Sequence, residues 1–158
     1  MNGAIQTGVT FGLTSGVITT LGLMVGLHAG THSTLAVLGG IITIAIADSF
    51  SDALGIHISK EAEEDASKKD VWIATLATLF TKMFMALSFI IPVLIFDLKT
   101  AIVAGIAWGI VILTLLSFKL AKIQQEKPHR VIAEHLGIAL FVIILTHSVG
   151  DWVGKVFN

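Results

Sequence analysis

Residues 34–58 read TLAVLGGIITIAIADSFSDALGIHI, with Asp48 and Asp52 the only formally charged side chains in the stretch. A helix needs about 20 mainly apolar residues to cross a hydrocarbon core of roughly 30 Å, and this stretch is long enough. It therefore predicts a membrane span that carries two carboxylates at depth. The rest of the chain agrees. Mean hydropathy is +0.89, 54% of residues are hydrophobic and only 13% are charged, where a soluble domain shows about 25%.

Four further apolar stretches lie on either side. Residues 5–27 precede the first and 71–96, 100–119 and 131–153 follow it. A charged segment, 59–70 (SKEAEEDASKKD), separates the second and third spans. The expected architecture is all-α, a single domain over 1–158, an integral membrane bundle of five transmembrane helices. Residues 1–47 hold no Lys, Arg, Asp or Glu. The first apolar stretch thus lacks the basic region of a secretory signal and is expected to stay as a span. The bundle is expected in a cell membrane or an organelle membrane, as a multi-pass protein.

Lys60, Lys68, Lys69, Lys119, Lys122, Lys127 and Arg130 fall on one side of such a bundle, Lys99 and Lys155 on the other. The positive-inside rule then puts the N-terminus in the cytoplasm and the C-terminus outside. Trp72 and Trp152 lie near span ends, where interfacial aromatics gather, and Trp108 lies mid-span as a packing residue. Net charge is −1, so no global field favours nucleic acid, and none is expected as a partner. The absence of cysteine removes disulfides, thiolate metal sites and thiol catalysis.

Ionisable residues inside a span are costly and usually face a cavity or a partner. Asp48 and Asp52 are four residues apart and share one helix face. Together they can hold a divalent cation through oxygen, and must be deprotonated to do so. Lys82, mid-way along the third span, is the expected partner of Asp48, either as a structural pair or as a counter-ion that a metal displaces. His147 and Asp151 repeat the spacing of four on the fifth span and suggest a metal or proton path, or a histidine oriented at the interface. His28 and His32 flank the first external turn. Glu61, Glu63 and Glu64 extend the cytoplasmic end of the second span as a solvated face or a cation entry. Gly8, Gly12, Gly16, Gly22 and Gly26 allow close helix approach, within the chain or across a dimer seam.

Residues 11–27 (FGLTSGVITTLGLMVGL) and 47–65 (ADSFSDALGIHISKEAEED) resemble the vacuolar iron transporter family. Its members read like DGLVTTFAVVAG in the first span and A-x-S-x-S-M-G-x-G-x-Y-x-x-x-x-x-E in the second. The five-span layout, the charged insert and the run around Pro92 are similar. The resemblance implies a homodimer whose ion path lies between protomers, lined by first and second spans. It also implies proton-coupled export of Fe²⁺ or Mn²⁺ from the cytosol, with the metal as cargo and no resident cofactor.

The family's first-span aspartate aligns with Ser15 and its second-span methionine with Asp52. Ile56 and His57 replace a family acidic residue and tyrosine, while Glu63 is kept. On this alignment Asp52 is the expected main metal ligand, Ser15 a weaker one and Asp48 a second ligand or proton carrier. A carboxylate in place of a thioether makes the site harder and favours Mn²⁺, Ca²⁺ or Mg²⁺ relative to Fe²⁺. The alternative is a non-transporting membrane scaffold whose polar residues lock helices together. An intramembrane hydrolase is not expected, because two carboxylates on one helix with no nucleophile motif make a poor acid–base dyad.

Overall fold

A computed structural model describes residues 3–65 and 67–157. Six helices follow in order: α1 (Gly3–Thr31), α2 (Thr34–Glu61), α3 (Lys68–Ser88), α4 (Ile90–Ile95), α5 (Leu98–Gln124) and α6 (Pro128–Phe157). With α3 and α4 taken together, five helical segments of 27 to 30 residues are long and apolar enough to cross a membrane. At 1.5 Å per residue each reaches about 40 Å, enough to span the headgroups as well as the hydrocarbon.

The helices run past the apolar stretches, because polar residues at their ends cap them. Ser33 accepts the Ala36 N–H at 3.2 Å and opens α2. Ser67 accepts the Asp70 N–H at 3.1 Å and opens α3. The charged segment 59–70 is therefore helical at both ends, as far as Glu61 and again from Lys68. His32 and Gln125, both with positive φ, close α1 and α5. The stretch 71–96 is interrupted at Phe89, between α3 and α4. Pro92 explains the break: it has no N–H for the Ser88 carbonyl, and its ring crowds that oxygen. Trp108 does not pack inside. It is half-exposed and donates from Nε1 to Ser88 Oγ at 3.0 Å, beside the break.

α1 is the most enclosed of the five segments and α6 the least. The glycines of α1 divide between two neighbours. A Cβ at Gly8 would stand 2.5 Å from the Ala74 carbonyl oxygen on α3, and Gly12 and Gly16 face the same helix. Gly22, Gly26 and Gly30 face α6, where a Cβ at Gly150 would collide with the Gly26 carbonyl oxygen. Both glycine series thus serve packing within the chain. Val17, Leu21, Met24, Ile41, Phe89 and Leu113 fill the core between them. The outer surface carries exposed Leu35, Phe50, Leu54, Phe84, Leu94, Leu115 and Phe141. So much exposed large apolar side chain is ordinary for a lipid-facing surface and unusual for one facing water.

Candidate functional site

α2 buries one stripe of small and apolar residues: Val37, Ile41, Ala45, Ser49 and Ala53. Asp48 and Asp52 each precede a member of that stripe, so they sit on its shoulder. There α3 supplies Lys82 and α1 supplies Ser15. Lys82 is 1% exposed, and its ammonium lies 2.5 Å from Asp48 Oδ2. It also pairs with Asp52 Oδ2 and donates to Ser15 Oγ at 2.9 Å. Ser15 passes its own proton on, donating to Asp52 Oδ2 at 2.6 Å. An ammonium has three N–H donors, and these three neighbours surround them.

The expected pairing of Lys82 with Asp48 is present, and Lys82 reaches Asp52 as well. Lys82 stands between both carboxylates, because a lysine reaching from α3 meets residues one helical turn apart about equally well. The two aspartates are not equivalent in their hydrogen bonds. Asp52 accepts hydrogen bonds from Ser15 and Lys82. Asp48 is held by charge alone, since its buried Oδ2 accepts no aligned hydrogen bond. Ser49 Oγ and Thr20 Oγ1 are also buried without a partner.

Asp48 lines an open groove of about 570 Å³ between α1 and α2, together with Thr19 and Thr43. The carboxylates are partly exposed, 28% for Asp48 and 21% for Asp52, while Lys82 closes the site from behind. Thr19 and Thr43 were not singled out in the sequence. The signal was present for Thr19, which lies four residues after Ser15 and so on the same face of α1.

About nine residues beyond Asp52, or roughly 14 Å along α2, Glu61, Glu63 and Glu64 border a polar cavity of about 560 Å³ with His57, Lys68 and Trp72. Glu63 is not free, for Lys60 holds it at 2.8 Å. His57 Nδ1 is hydrogen-bonded to Thr75 Oγ1 at 3.0 Å.

His147 and Asp151 stand apart from this site. α6 packs on α1 and α5, so neither residue joins Lys82. Nor is Asp151 committed to His147: it takes Lys155 at 2.5 Å. Both neighbours are one turn away, and the long, flexible stem of Lys155 brings its ammonium onto the carboxylate. His28 and His32 meet edge-on, with ring centroids 5.4 Å apart.

Among the described residues, no three His, Asp or Glu side chains converge in the manner of a metal cage. Comparison with protein-family models, curated proteins and solved structures returns no match.

Proposed function

We propose that this chain is a membrane transporter of divalent metal ions, Fe²⁺ or Mn²⁺, that couples metal movement to protons and exports the metal from the cytosol. The carrying observation is a lysine, 1% exposed, set in mid-span between two aspartates, of which Asp48 lines a groove. A chain bears the cost of three ionisable groups at membrane depth where they face a path or a cargo. Asp48 is the first ligand, because it lines the groove. Asp52 and Ser15 complete the oxygen set, and Glu61 and Glu64 collect cations at the cytoplasmic mouth. Carboxylates must be free of protons to take the metal, so loading releases protons.

The resemblance to vacuolar iron transporters supports the same reading, with the N-terminus inside, the C-terminus outside and a homodimer. One chain offers fewer oxygen donors than the roughly six a hard cation takes. A second α1–α2 groove facing the first would double them.

Uptake of Mn²⁺ and Fe²⁺ into proteoliposomes under a pH gradient tests the proposal. Asp48→Asn and Asp52→Asn should each abolish uptake while the protein still folds. Undiminished uptake by both variants removes the site assignment, and no divalent uptake by the parent removes the function.

The scaffold reading also has an observation in its favour: Lys82 is fully surrounded. Lys82→Met combined with Asp48→Asn and Asp52→Asn separates the two. A scaffold keeps its fold and loses nothing else, since buried ion pairs are often replaceable by neutral groups. A transporter keeps its fold and loses transport.

A further inference from the structure

A second groove, of about 430 Å³, opens between α5 and α6 at the end of the bundle that holds the α1–α2 turn. Its mouth is lined by His28, Lys99, His147 and Ser148, and its floor is apolar, with Ile102 and Ile106 on α5 facing Ile143 on α6. From Lys99 to Ile106 the groove runs about 10 Å along the helix. Among these side chains Lys99 is a cation and each imidazole can donate an N–H, while the Ser148 hydroxyl donates to the Ile144 carbonyl at 2.8 Å. Lys99 forms no ion pair among the described residues, in contrast to Lys155, which Asp151 holds at 2.5 Å. The nearby carboxylate of Asp97 is turned to the Thr100 N–H at 3.1 Å. His28 Nδ1 is buried with no hydrogen-bond partner.

We propose that this groove is a specific site for an anionic phospholipid. The Lys99 ammonium and the imidazoles of His28 and His147 take the phosphate, and an acyl chain lies along the isoleucines. An ammonium beside donor-rich side chains matches a phosphate. The apolar floor starts about one turn inward from Lys99, at Ile102, along an apolar helix long enough to cross a membrane. A zwitterionic lipid fits the floor but brings its own ammonium to an already cationic mouth. A membrane setting is the only premise shared with the transport proposal, so either can fail alone.

The test is native mass spectrometry of the full-length protein, delipidated in detergent and titrated with phosphatidylglycerol or phosphatidylcholine. The parent should prefer phosphatidylglycerol. Lys99→Gln should weaken that preference about fivefold, the effect of one lysine near an anionic headgroup. Ile106→Trp, which fills the floor, should lower binding of both lipids. Lys155→Gln removes an equal charge at the same end and should leave the preference intact. The proposal is overturned by equal binding of the two lipids, or by an equal loss in Lys155→Gln, which would mean diffuse surface attraction. Displacement of the lipid by inorganic phosphate also overturns it, since the site would then serve a soluble anion. Unchanged thermal melting of each variant separates these results from misfolding.

Discussion

Asp48/Asp52 on α2 and His147/Asp151 on α6 are ionisable pairs at a spacing of four, and only the first gathers partners from neighbouring helices among the described residues. Both sit beside a packed stripe. Asp48 and Asp52 precede the buried Ser49 and Ala53, and Asp151 follows the buried Gly150. One residue turns a helix by about 100°, so all three acids stand on a shoulder of their helix. The α2 shoulder is covered by α1 and α3, which deliver Ser15 and Lys82. On the α6 shoulder no other described helix supplies Asp151 an ion-pair partner, and Asp151, 48% exposed, turns to its own Lys155, 71% exposed. Spacing along a helix tells which residues share a face. The neighbouring helix decides what that face does.

The contrast is broken hardest by removing the lysine. Lys82→Met leaves two carboxylates beside each other with no cation. Stability should fall by about 3–5 kcal/mol, the usual cost of deleting one partner of a buried charge group. Thermal unfolding in detergent measures it, and adding Asp48→Asn and Asp52→Asn should restore most of the loss. A melting curve unchanged by Lys82→Met alone would mean that the cluster is well hydrated and that the two regions do not differ in kind.

Ser15→Ala probes the same cluster more gently. The hydroxyl accepts from Lys82 and donates to Asp52, and hydrogen bonds to charged groups contribute roughly 1.5–3 kcal/mol each. The expected loss lies near the lower figure, since Lys82 and Asp52 still hold each other. Transport in proteoliposomes should weaken without vanishing, because both carboxylates remain.

The α6 side depends on shape rather than charge. Gly150→Ala forces a methyl group against the Gly26 carbonyl, and such overpacking costs about 1–3 kcal/mol. Gly137, with nothing within 4 Å of an added Cβ, should instead gain up to about 1 kcal/mol on replacement by alanine, from helix propensity alone. Equal responses at the two positions, read by thermal unfolding, would show that the α1–α6 seam is looser than its close approach implies.

Much of this was legible in the residues. Five spans follow from hydropathy, because lipid demands an unbroken apolar run. Asp48 and Asp52 stand out because charge is rare there, and Lys82 for the same reason. What a single helix cannot show is the rotation of its neighbours. That Lys82 reaches both aspartates, that Ser15 accepts from one charge and donates to another, and that Gly8 faces α3 while Gly26 faces α6 all depend on how α1 is turned between its neighbours. The break at Phe89 was half visible, in Pro92. Its exact place depends on which carbonyl the ring crowds.

Asp97 is an exposed carboxylate that does have a partner. Its carboxylate accepts hydrogen bonds from the Thr100 side chain and backbone N–H, which hold the carboxyl below its usual range. A depressed folded-state pKa gives stability that is fully present above the unfolded value, about 3.9, and is lost as pH falls through the folded one. The start of α5 should therefore be insensitive to pH from 7 down to about 5 and loosen only in stronger acid. Asp97→Asn keeps a good N-cap and should remove that acid-dependent part, as hydrogen exchange at Thr100 would show.

The smallest effect is expected where the sequence makes the closest imitation of the α2 site. Lys155→Met removes the partner of an acid at a spacing of four, as Lys82→Met does for two acids on a neighbouring helix. The Lys155–Asp151 pair is nevertheless open to solvent, and such pairs contribute little. Melting temperature and transport should both stay at the parent's values, and added salt should not change that result. If Lys155→Met instead matched Lys82→Met, exposure would not be what separates the two pairs. A structure shared with a second copy of the chain, covering the α6 shoulder, would then have to supply what α1 and α3 supply to α2.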